Sequence, residues 1–281
     1  MRSRARHIAG AVPAVPRHPR SAKRHPPGQP GVAFLLGAAV TCVGLCLPLR
    51  SLGAAPTNGF THVAIDAGHS IKTQGAISAR GVAEFEFNRA LALAIDVALT
   101  RDAMPGQTSV RTTLIAVDGL TTDLASRPRK AKEAGAQLFV SVHHDSAKLR
   151  FHQPWMFEGK PRTFLDERFR GFSLFVSRNN PQWPLALKCA SAIGAQLIAA
   201  GFKPSRYHAD PVLGSGREFA DEVNGVHFFD NLAVLRTATM PALLMEAGVI
   251  VNRDEEALLA QPATHTQMAS AVSAGVAACG S

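Results

Sequence analysis

Apolar positions along this chain fall into two rhythms. Short, compact runs rich in β-branched and aromatic residues predict buried strands near 62–66, 109–116, 137–145, 171–176, 232–236 and 242–246. Longer Ala/Leu-rich stretches, apolar every third or fourth position, predict helices near 84–99, 125–134 and 185–200, and closing helices from Asp254 and over 261–278. In the first helix Phe87, Leu91, Ile95 and Leu99 share one face. Asp123, Ser126 and Pro128 mark the start of the second, and Gly201 stops the third. Two segments carry neither rhythm. The first, 148–170, holds Trp155, Phe157 and Pro161, and is expected to be irregular, a lid or substrate-binding wall. The second, 202–231, is polar and contains His208, Glu218, Glu222 and His227. Strands alternating with helices make the expected class α/β: a central, mostly parallel mixed sheet flanked by helices on both faces, in a single domain.

Charge changes the picture at the N-terminus. The formal net charge of +9 suggests a nucleic-acid binder until the charges are located. Eight Arg and Lys residues precede Asp66, the first acidic residue, so the remainder stands at +1 and nucleic-acid binding loses its electrostatic support. After the basic segment, the run from Val32 to Leu49 is uncharged, and Leu52-Gly53-Ala54-Ala55-Pro56 supplies small residues suited to cleavage. That order is a signal peptide's, so residues 1–56 are expected to be a basic leader and signal peptide, and 57–281 an exported domain of the periplasm or cell envelope. An uncleaved anchor is the alternative, because the run is near the lower spanning length of ~17 residues. Contact with a membrane is then through the leader alone. Beyond the leader only Cys189 and Cys279 remain, on two helical segments; a disulfide and a pair of buried thiols are equally open.

Three of the apolar strands end in chemistry. The run Gln137–Val142 closes on His143, His144 and Asp145; His62–Asp66 runs through a glycine turn into His69; Pro241–Met245 closes on Glu246. Open α/β sheets place their sites at such strand ends. A hydrolytic zinc site needs three protein ligands and one open position, which His69, His143 and one carboxylate supply. Glu84 and Glu86, in the first turn of the first helix, are the carboxylates on offer, although the helix dipole alone accounts for acidic residues there. Glu246, in so apolar a run, is costly to ionise without a cation nearby and suits a general acid/base.

Four segments in order then carry a resemblance: Ile65-Asp66-Ala67-Gly68-His69; Gly81-Val82-Ala83-Glu84 with Asn88; Ser141-Val142-His143; and Met240 to Gly248 with Asn252. Together they resemble the zinc-dependent N-acetylmuramoyl-L-alanine amidases, bacterial cell-wall hydrolases. Ala67 stands where that family usually has proline, and Ser70 where glycine is frequent. The resemblance implies one Zn2+ per chain bound by His69, Glu84 and His143, with Glu246 as catalytic acid/base. By position it favours Glu84 over Glu86 and His143 over His144, leaving His144 beside the site or lining the groove. Asp66 is expected either to orient His69 through its ring or to cap the turn, and Arg236, at the end of a strand, to steady an oxyanion or a peptide carboxylate. The substrate implied is peptidoglycan, cut at the amide between the lactyl group of N-acetylmuramic acid and L-alanine, with a protein activator as a further partner. A zinc peptidase or carboxypeptidase on a similar sheet and a catalytically silent wall binder are the competing readings.

Overall fold

A computed structural model describes residues 59–101 and 110–280, which belong to one compact unit. The leader expected over 1–56 lies outside them. In chain order the elements are β1 (His62–Ala67), α1 (Glu84–Arg101), β2 (Arg111–Ile115), α2 (Ser126–Glu133), β3 (Leu138–Asp145), β4 (Gln153–Phe157), β5 (Lys160–Phe164), β6 (Ser173–Val176), α3 (Trp183–Ala199), β7 (Phe219–Asp221), β8 (Val226–Phe228), α4 (Ala233–Arg236), β9 (Ala242–Val249), α5 (Arg253–Leu259) and α6 (Pro262–Gly280). Seven strands form one sheet in the order β2-β1-β3-β9-β6-β8-β7. β2, β1, β3 and β9 run parallel; β6 is antiparallel to β9, and β7 to β8. This is the mostly parallel mixed α/β sheet expected from the alternation of strand and helix.

The parity of each strand decides which face its side chains serve. Val63, Ile65 and Ala67 of β1, Leu138, Val140 and Val142 of β3, and Leu243, Met245 and Ala247 of β9 join one core with α1, α3 and α6. Ala64, Phe139, Ala242 and Leu244 face the opposite core, with Ala131 of α2 and Val234 and Leu235 of α4. Strands buried on both faces need apolar residues at nearly every position, which is why their runs are continuous rather than alternating. Because β1, β3 and β9 point the same way, their C-terminal ends share one edge of the sheet.

Three expectations are corrected. Residues 233–236 are helical, not a strand: Val234 and Leu235 are consecutive yet enter the same core, which a helical turn permits and a strand forbids. Segment 148–170 is not irregular throughout, since β4 and β5 pair as an antiparallel hairpin closed by Glu158 and Gly159, both at positive φ (49° and 70°). The hairpin is pinned by Trp155 Nε1, which donates to the Ala79 carbonyl at 3.0 Å, with Arg80 and Arg253 over the indole. The polar segment 202–231, in turn, supplies β7 and β8.

Cys189 of α3 and Cys279 of α6 form a disulfide, 90 residues apart in sequence. Among the described residues no helix is long and apolar enough to cross a membrane. Chain-entropy arguments give a closed loop of this size a stabilisation of about 4.6 kcal/mol, near the top of the ~2–5 range that removing a native disulfide typically costs. The double variant Cys189→Ser/Cys279→Ser is therefore expected to lose about that much in denaturant unfolding under oxidising conditions, and reductant is expected to bring the parent protein down to the variant's midpoint.

Candidate active site

At the C-terminal edge of the sheet, the ends of β1 and β3 and the first turn of α1 converge. Beyond β1, Gly68 leads to His69, which holds a left-handed backbone (φ 65°) that non-glycine residues rarely adopt outside constrained sites. Gly68 must lack a side chain, because a Cβ there would lie 2.2 Å from His143 Nε2. Gly75 (φ 77°) is equally confined; its Cβ would meet Glu84 Oε2 at 2.3 Å. Glu84 opens α1, where the helix dipole favours a carboxylate.

Two imidazoles flank that carboxylate. His69 Nε2 lies 3.1 Å from Glu84 Oε2, and His143 Nδ1 lies 3.0 Å from Oε1. The candidate ligand atoms of all three residues fall within 4.8 Å of one another. Glu84 is buried, and the Ala76 backbone N–H (2.9 Å) and the Asn88 side-chain amide (3.1 Å) also donate to it. Burial alone would raise its pKa, but the hydrogen bonds and charges of His143 and His69 outweigh burial and hold the carboxyl well below the usual range. Glu86, two residues on, is exposed and pairs with Arg89 at 3.7 Å. The donor set fits a zinc ion of the catalytic kind: two neutral-capable imidazoles, one ionised carboxylate and, among the described residues, no fourth side chain closing the site.

Glu246 arrives from the neighbouring strand, in register with His143 across β3 and β9. Its Oε2 is buried and accepts no hydrogen bond. Burial first, then the nearby charges of Asp145 and Glu84, push its pKa well above the ordinary value. A carboxyl with raised proton affinity beside one held ionised is the division of labour that acid–base chemistry uses.

The remaining expected residues find different places. His144 is buried on the opposite face of β3, its Nδ1 2.8 Å from Asn88 Oδ1 and its ring against Phe87. It lines no groove; through Asn88 it braces Glu84, and burial drops its pKa to about 3, keeping it neutral. Asp66 touches neither the His69 ring nor a turn N–H. It pairs with the buried Arg127 at 2.8 Å and accepts from Ser141 Oγ at 2.7 Å. Arg127 in turn donates to the carbonyls of Ala67 (2.6 Å), Thr121 (2.7 Å) and His69. Asp66 thus orients the backbone that carries His69, by way of an arginine that no sequence pattern singles out. Arg236 is exposed, at the end of the helix α4 rather than of a strand, and does not line the cavity beside Glu246. Four further groups line a cavity that reaches Glu246: Asp145, Tyr207, Arg217 and His208, whose Nε2 lies 2.6 Å from Asp145 Oδ2. His227, from the polar segment 202–231, is fully buried in β8 between Phe175 and Phe219.

Residues 63–278 match the family model described as N-acetylmuramoyl-L-alanine amidase. The chain belongs to that family. The amidase also shares its fold with solved enzymes at low sequence identity. The Ami1 amidase of Mycobacterium smegmatis superposes with a TM-score of 0.59 at 20% identity, covering 78% of this chain and 96% of its own. The catalytic domain of CwlV from Bacillus (Paenibacillus) polymyxa var. colistinus gives 0.54 at 24% identity, covering 77% and 96%. The CwlD amidase of Clostridioides difficile, solved in complex with the GerS lipoprotein, gives 0.54 at 18%, covering 77% and 96%. Among curated proteins none matches by sequence.

Two outcomes follow for the amidase. Arg127→Met strands Asp66 without its buried partner and is expected to cost about 3–5 kcal/mol in urea unfolding. His227 has its pKa lowered from 6.5 to about 4, chiefly by burial and then by the charge of His208. The unfolded chain therefore takes up this proton first, so stability is complete above pH 6.5 and declines as pH falls towards about 4. His227→Gln is expected to flatten that decline in unfolding midpoints measured across the same range.

Proposed function

We propose that this amidase is a zinc-dependent peptidoglycan hydrolase cutting the amide between the lactyl group of N-acetylmuramic acid and L-alanine of the stem peptide. His69, Glu84 and His143 hold one ion per chain, and Glu246 is the acid/base. What carries the reading is the pairing of an ionised, doubly imidazole-flanked Glu84 with a buried Glu246 whose Oε2 has no partner. When bound, zinc supplies a Lewis acid that polarises a carbonyl and acidifies water.

The protein's own groups do the rest. Asn88 and the Ala76 N–H fix Glu84, and the Arg127 clamp fixes the turn that presents His69. Glu246 Oε2, which no protein donor occupies, accepts a proton from the attacking water and returns it to the departing L-alanine nitrogen. Low surrounding dielectric strengthens each of these interactions, because the edge of the sheet is packed on both faces. The basic leader and apolar run support export to the periplasm or envelope, where peptidoglycan lies. The complex of the CwlD amidase with a lipoprotein supports a protein partner for this chain as well.

Glu246→Gln is expected to lower hydrolysis about 10²–10⁴-fold while zinc content stays near one per chain. His69→Ala and His143→Ala are expected to lose the metal too. Mass spectrometry of muropeptide digests, with and without a chelator, checks the reaction. Free stem peptides beginning with L-alanine are released only with metal present, whereas single amino acids trimmed from the peptide end would point to the peptidase alternative.

A further inference from the structure

Beside Glu246 opens a cavity of about 240 Å³ whose walls include Asp145, Lys148, Phe175, His208 and Arg217. Its charges are unevenly matched. Asp145 is the one acidic neighbour already satisfied: it accepts from the Tyr207 hydroxyl and lies 2.6 Å from His208 Nε2. Lys148 donates to the Gly214 carbonyl, which leaves its charge uncompensated. Arg217 lies over the ring of Phe229, 3.3 Å from the centroid, and 5.9 Å from that of Phe175. Among the described residues its guanidinium forms no ion pair within 4.0 Å. Burial lowers its pKa, and the attraction of Asp145 and Tyr207 does not restore it. A guanidinium laid on an aromatic face keeps its edge donors free, and their planar fork matches a carboxylate.

We infer that this cavity is a subsite for a free carboxylate on the peptide side of the scissile amide, with Arg217 as the residue that recognises it. The inference rests on the amidase reading of the adjoining site and narrows it. In that substrate the lactyl carboxyl is consumed in the amide, so free carboxylates belong to the stem peptide. The volume, below the ~300 Å³ at which drug-sized ligand sites begin, suits a short peptide segment rather than a glycan strand. Lys148 adds a second positive charge on the wall, and the position next to Glu246 places the leaving peptide, not the sugar, in this direction.

The test is titration calorimetry of the zinc-loaded protein with L-alanyl-D-glutamate and with the same dipeptide amidated at both carboxyls. Both ligands share the amine, so any direct contact of that amine with the metal cancels in the ratio. The parent protein is expected to favour the acid at least about tenfold, the scale of one hydrogen-bonded charge pair. Arg217→Met is expected to bring the ratio near one, and Arg217→Lys to restore only part of it, because an ammonium lacks the fork. Equal affinity for both ligands in the parent, or a preference that survives Arg217→Met, overturns the subsite. Muramoyl-amide cleavage is scored separately: a protein that shows the Arg217-dependent preference but cleaves nothing keeps the subsite and loses the hydrolase reading.

Discussion

One buried carboxylate organises this molecule. Glu84 sits where solvent cannot screen it, and desolvating an anion there is unfavourable unless donors surround it. Two histidines, an asparagine and a backbone N–H meet that requirement. Each comes from a different part of the chain: the turn after β1, the end of β3, the second turn of α1 and the loop before it. The site is therefore inseparable from the tertiary fold, and its electrostatics give the sheet edge one preferred arrangement.

Support extends outward through a second buried ion pair. Arg127 and Asp66 lie beneath the same turn, on the face of the sheet opposite α1, and the arginine gathers three carbonyls as well as the carboxylate. A buried pair of this kind is weak as a source of stability but strong as a constraint, because no rearrangement satisfies both charges. The left-handed backbone of His69 is held from below by that constraint and from above by Glu84. His144 does the equivalent under β3, neutral and locked to Asn88.

The strong periodicities made the fold legible. β1, β3 and β9 announced themselves as continuous apolar runs, and α1, α3 and α6 as long Ala/Leu-rich stretches. Short elements did not: the four residues of α4 are too few to show a period, and β7 and β8 are three residues each within a polar context. The hairpin closes on Glu158–Gly159 rather than the Asn-Gly or Asp-Gly pair that signals such a turn. Among the site residues, those placed by a strand end or a first helical turn could be named from sequence. Arg127 and Arg217 could not. One looks like any helix-start arginine and the other like a loop charge, and only tertiary packing brings the first under the His69 turn and the second onto Phe229.

The disulfide between α3 and α6 turns the span from 189 to 279 into a covalent ring. His208, Arg217 and Glu246 lie inside it, while His69, Glu84 and His143 lie outside. Two of the most exposed apolar side chains, Val212 and Val223, also fall within that ring, on stretches of the surface open to proteases. A single cut at either place leaves both pieces tethered through sulfur, so the piece that carries Glu246 cannot drift away from the piece that carries His69, Glu84 and His143. That is tolerance to a nick written into the connectivity.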